Sequence, residues 1–147
     1  MIGGFCRGAF TFFVRGRAAI ASLGALDEAE RPRRLDEARH AAKALNKQAL
    51  VWTAPLAAIV SAFVANAAGN PVRAEQSLRR AIDLAKAADM AIHAAAAQLQ
   101  LGGLIGGDDG GVMAAEAADT MRSRGVRAPE RYAGMLVPGP WSATRPP

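Results

Sequence analysis

One cysteine, Cys6, stands in the whole chain. It excludes an intrachain disulfide and any metal cluster built on cysteines, and it fits a reduced, cytoplasmic setting. Aromatic residues are also sparse, at 5% of 147 residues. They are not interleaved with the basic residues, as a stacking surface for nucleic acid requires. Valine and isoleucine are scarce and never alternate over a strand's length, which argues against a sheet. The only histidines are His40 and His93, and a two-histidine zinc site would still lack ligands.

What the chain has is alanine. Hydrophobic residues make up 51% of it, and alanine, the strongest helix former and a small packing residue, dominates them. Helices that approach one another closely follow from that composition. The length suits one domain able to bury its own core. The net charge of +5 is uneven: residues 1–47 hold nine Lys/Arg against five Asp/Glu, whereas residues 106–147 hold five of each. A basic first third could favour an acidic partner, but nucleic acid is not the favoured partner.

Helix signals follow in order. A first helix is expected from about Ala9 to Leu23, closed by Gly24. Pro32 suits the first turn of the next, where Leu35, Ala38, Ala42 and Leu45 form one stripe. An uncharged helix with Pro55 near its start ends at Gly69. Asn70 as N-cap and Pro71 at the first helical position open the fourth, with Leu78, Ala81, Ala85 and Ala88 as its stripe. Asp89 is expected to cap a helix from Met90 to about Leu101, and Asp108 or Asp109 the next, which Gly125 closes. Pro129 starts a short last turn. Turns near Gly24, Gly69 and Gly107 are 45 and 38 residues apart, an irregular spacing that suits stacked helical hairpins. The fold class read from this is all-α: a solenoid of about three antiparallel helix-turn-helix pairs over residues 9–136. A disordered N-terminal segment, 1–8, and a proline-rich tail, 137–147, expected to fray, flank it.

The glycines of "LGGLIGGDDGG" raise the question of a phosphate loop. Gly102 to Gly107 has the right spacing, but Asp108 stands where a lysine is needed, and no strand leads in. A calcium loop fails for want of alternating ligands and a closing glutamate. A helix end followed by a helix start explains every residue. Asp27, Glu28 and Glu30 read as a solvated connector, and Trp52 and Trp141 as packing anchors. No catalytic, cofactor-binding or metal-binding residue is assigned, and no cofactor is expected.

The uncharged run Ala49 to Gly69 is long enough to span a membrane, so a membrane-associated helical protein is one alternative reading. Pro55, Asn66, Thr53 and Ser61 favour a buried solenoid helix instead. A small enzyme with an unrecognised site is the other alternative. Arg7 and Arg15 bracket too short an apolar run for a signal peptide.

Three stretches, "VRGRAAIASL", "ADMAIHAAAAQLQLGGLIGGDDG" and "GVRAPERYAGMLVPG", together resemble the C-terminal tetratricopeptide-like tail of large bacterial serine/threonine protein kinases. The likeness covers roughly residues 13–139. It implies a helical-repeat region that binds a protein or peptide partner or positions a kinase, here as a detached or truncated tail. The chain departs from the family pattern at His93, where an aromatic residue is usual, at Gln98 and Gln100, where arginines are, and at Ala128, where an acid is. No Gly-rich loop, H-R-D or D-F-G occurs, so kinase activity does not carry over. The function expected is that of a non-catalytic, scaffold-like protein-interaction module.

Overall fold

The computed structural model describes residues 3–24 and 27–142, with side chains from residue 8 onward. Among the described residues there are seven α-helices and no strand: α1 (Gly3–Ala21), α2 (Arg31–Lys47), α3 (Thr53–Ala67), α4 (Pro71–Ala87), α5 (Ala91–Ile105), α6 (Gly107–Ser123) and α7 (Pro129–Leu136). A short 3-10 turn, Ser22–Gly24, follows α1. Each helix packs on the next in chain order, α1 also touches α3, and α7 lies mainly on α5. The fold is all-α, with α1–α2, α3–α4 and α5–α6 as the three expected hairpins.

The start signals work as their chemistry requires. The Asn70 side chain accepts a hydrogen bond from the Arg73 backbone N–H at 3.0 Å, and Pro71 needs no donor where it sits. Three helix ends close with the same device. The residue after the helix turns left-handed, and the next N–H reaches back to a carbonyl five residues earlier. Asn70 bonds Ala65, Met90 bonds Ala85 and Val126 bonds Met121, with Gly69, Asp89 and Gly125 at the left-handed positions. Asp89 therefore closes α4 and does not cap α5, which has no side-chain cap. Asp108 and Asp109 lie in the first turn of α6 without a capping bond. There they complement the positive end of the helix dipole.

Helix α3 is buried on nearly every side, with Leu56, Ile59, Val60 and Phe63 in the core. It explains the uncharged run. Ala49 adopts φ +50° and breaks the segment before Thr53, so α3 has 15 residues and a length of about 22 Å. That is short of the ~30 Å of a bilayer core. No helix among the described residues is long and apolar enough to cross a membrane.

Alanine and glycine set the helix spacing. Gly16 of α1 sits on Ala41 and Val60. On α5, a methyl group added at Gly102 would lie 2.5 Å from the Gly110 carbonyl oxygen and 2.9 Å from the Ala114 nitrogen. The glycine cluster thus lets α5 and α6 cross backbone to backbone.

At the chain ends the boundaries shift. Helix α1 begins at Gly3, so the expected disordered segment 1–8 is helical over 3–8; no proline interrupts it, and buried Ala9 and Phe13 anchor its next turns. The expected frayed tail is packed through Trp141, because Val137 and Trp141 are buried against the inner helices. Residues 1–2 and 143–147 lie outside the described residues.

Candidate groove of the inner helices

Helices α1, α3 and α5 carry the residues that surround the segment after α7, and this is the inner side of the fold. Helices α3 and α5 scarcely touch each other there. The segment after α7 bridges them.

Helix α7 packs on α5 and buries Pro129 and Ala133. It ends at Val137, whose N–H donates to the Ala133 carbonyl at 2.7 Å. Gly139 then takes φ +133°, a conformation that side chains rarely adopt. This turn brings the Trp141 indole back on its own chain, where its N–H donates to the Val137 carbonyl at 2.9 Å. The ring lies 6.4 Å from the Phe63 ring of α3, tilted by 57°, within the range of favourable aromatic pairs.

Two amide side chains hold the segment by its main chain. Gln100 on α5 donates to the Val137 carbonyl at 3.2 Å, and Asn66 on α3 donates to the Pro140 carbonyl at 2.8 Å. Helical spacing puts Phe63 and Asn66 on one face of α3. The same spacing puts His93, Gln100 and Gly103 on one face of α5. Gly103 is the closest approach: a methyl group there would lie 2.6 Å from the Trp141 carbonyl oxygen. Beside Gly139 and Pro140 a hollow of about 360 Å³ stays open, walled by Ile20, Leu23, Phe63 and Ala67.

Arg17 on α1 supplies a charge on this side. Its guanidinium sits 5.4 Å from the centre of the Phe13 ring, and its Nε is buried without a hydrogen-bond partner. Burial lowers its pKa while Tyr132 of α7 acts the other way; an arginine stays charged under either influence. His93 is half-buried and is pushed below its ordinary value, first by loss of water and second by the Arg17 charge.

The structure keeps the two histidines apart in role. His40 is exposed on α2, its ring nitrogen 3.1 Å from the Asp36 carbonyl, while His93 belongs to the groove side. A larger hollow, about 730 Å³, opens between α1 and α2 beside Phe12, Arg15, Pro32 and His40. Its carboxylates, Asp36 and Glu37, are engaged by Arg33, Arg34 and Arg39 along α2 itself. Those pairs also occupy three of the arginines that make the first third basic. Among the described residues no three His, Cys, Asp or Glu side chains gather as metal ligands.

Sequence reading missed Asn66, Gln100 and Gly103 as a set. The signal present was their placement, at helical spacing, on the inner helices of two hairpins. Searches against family models, curated proteins and solved structures find no match for this chain.

Proposed function

We propose that the chain is a non-catalytic interaction module whose inner groove binds a short, turn-forming peptide segment of a protein partner. One observation carries this reading. The groove holds a chain segment by its carbonyls, through Asn66 and Gln100, and buries an indole against Phe63. Amides that donate to main-chain carbonyls hold a backbone whatever its side chains, and an aromatic contact adds selectivity. Helices carry every contact, so the site is preorganised.

The resemblance to the tails of bacterial serine/threonine kinases supports the same direction, a regulatory module of a kinase-type signalling protein. The single cysteine suits work in the cytoplasm. A peptide-display library panned on the chain with Trp141→Ala, which frees the groove of its own segment, tests the reading. Enriched peptides should share an aromatic anchor and lose at least tenfold in affinity to the Asn66→Ala/Gln100→Ala variant. Enrichment that is indifferent to both substitutions, or no enrichment at all, overturns it.

A further inference from the structure

The segment that fills the groove belongs to the chain itself, and its fit is incomplete. It reaches the groove as the continuation of α7, with no connector between them. Its anchors are one indole and two amide–carbonyl bonds. The hollow of about 360 Å³ beside Pro140 remains unfilled, although Ile20, Leu23 and Phe63 present apolar surface to it and Arg31 and Asn66 line it with polar groups. A ligand optimised for this groove would occupy that space. Nothing charged from residues 137–142 takes part, and the donors reach carbonyls, not side chains.

We propose that Val137–Trp141 is a built-in competitor: it closes the groove in cis, and a partner segment of the same chemistry opens it in trans. That segment forms a tight turn, and it carries an aromatic residue just after a proline. The proposal rests on the peptide-binding reading above and adds its regulation. Tethering decides how strongly the competitor acts. A segment attached directly to α7 has an effective concentration on the order of millimolar or more, so even a weak cis contact masks a trans site. The partner's apparent affinity falls by the fraction of molecules in which the groove is open.

Tail and groove can be altered separately. Gly139→Ala forbids the positive-φ turn that closes the tail, and Trp141→Ala removes its anchor; both change only the cis occupant. Gly103→Ala blocks the backbone approach that either occupant needs. The probe is a fluorescent peptide of residues 137–142, Val-Pro-Gly-Pro-Trp-Ser, titrated by anisotropy into full-length chains whose helicity is checked by circular dichroism.

The peptide should bind Gly139→Ala and Trp141→Ala at least tenfold more tightly than the unaltered chain. Adding Gly103→Ala to either should abolish binding. Equal binding by the unaltered and tail-altered chains, lost in both with Gly103→Ala, overturns the competitor and leaves the peptide site standing. No binding by any folded variant overturns both. If the unaltered chain sediments as a concentration-dependent dimer that Trp141→Ala dissolves, the occupant is a second copy's tail, and the competitor in cis is refuted.

Discussion

Gly102 and Gly103 are neighbours on α5, yet they govern contacts of different kinds. Gly102 lies against the backbone of α6, at Gly110 and Ala114; Gly103 lies against the carbonyl of Trp141 in the terminal segment. The first contact joins two helices of one hairpin along their length. The second joins a helix to a five-residue strap held by two amides and one indole. Both positions need glycine for the same steric reason. What differs is how much of the molecule must move when the space is lost: two helices in one case, only the strap in the other.

Gly102→Ala should therefore give the largest effect. Its methyl group meets backbone atoms at 2.5 and 2.9 Å, and backbone cannot swing aside as a side chain can. We expect a loss of about 3 kcal/mol or more, at the upper end for overpacked sites. That corresponds to a fall in Tm of about 10 °C, read by thermal circular dichroism. A loss below about 1 kcal/mol would mean that α5 and α6 slide past each other at little cost, and the contrast with Gly103 would vanish.

Gly103→Ala should cost less overall and act elsewhere. Within α5 the substitution is favourable by about 1 kcal/mol. Undocking the strap forfeits the burial of Trp141, worth about 2 kcal/mol, and with it two hydrogen bonds worth about 0.5 kcal/mol each. The net loss should be about 2 kcal/mol. Its signature is local: in a Trp52→Phe background, Trp141 emission should shift to the red and its indole N–H should exchange freely, with helicity unchanged. An indole still protected in this variant would place the strap's hold outside the Gly103 contact.

The hairpins could be read in the sequence because local chemistry determines them. Asn70-Pro71, Pro32, Pro129, Gly69 and Gly125 each mark an end through a backbone requirement of their own, and the stripe Ala38, Ala42, Leu45 marks a face by its period. The groove could not be read that way. Asn66 and Gln100 are 34 positions apart in the chain, and nothing local says that both reach the same five residues. The tail was misread for a related reason. Four of the eight prolines fall in its last eleven residues and suggest fraying, but proline and a positive-φ glycine also shape a fixed turn when a tryptophan has somewhere to go. Gln100 stood out in the sequence only as a departure from a kinase-tail pattern, and His93 as that and as half of a histidine pair too small for a zinc site; both lie on the groove face of α5.

The helix ends offer a smaller test of the same theme, glycine demanded by geometry. After α3 the left-handed residue is Gly69, whereas before α3 it is Ala49, at φ +50°. An alanine pays roughly 1–2 kcal/mol there, while a glycine loses part of that through a more flexible unfolded chain. Ala49→Gly should stabilise by about 0.5–1 kcal/mol, seen as a higher denaturant midpoint at unchanged slope. Asp89→Gly should gain less, because aspartate tolerates the left-handed region better. Equal gains at both sites would mean that side-chain identity matters little at these turns.

The smallest effect rests on one half-buried imidazole on the groove side. Loss of water, with the Arg17 charge second, holds the folded-state pKa of His93 below its ordinary 6.5. Below that pH the unfolded chain takes up the proton first, so folding stability falls as the medium is acidified. The contribution of neutral His93 is full above about pH 6.5 and is lost as pH drops through the lower folded value. Protonation would also set a second cation near Arg17, on the side where α1, α5 and α7 meet. The denaturant midpoint should therefore decline between about pH 7 and pH 5, and His93→Gln should flatten that decline, while Gly102→Ala should leave its slope intact. If His93→Gln follows the unaltered chain at every pH, the imidazole plays no part in holding the groove side together.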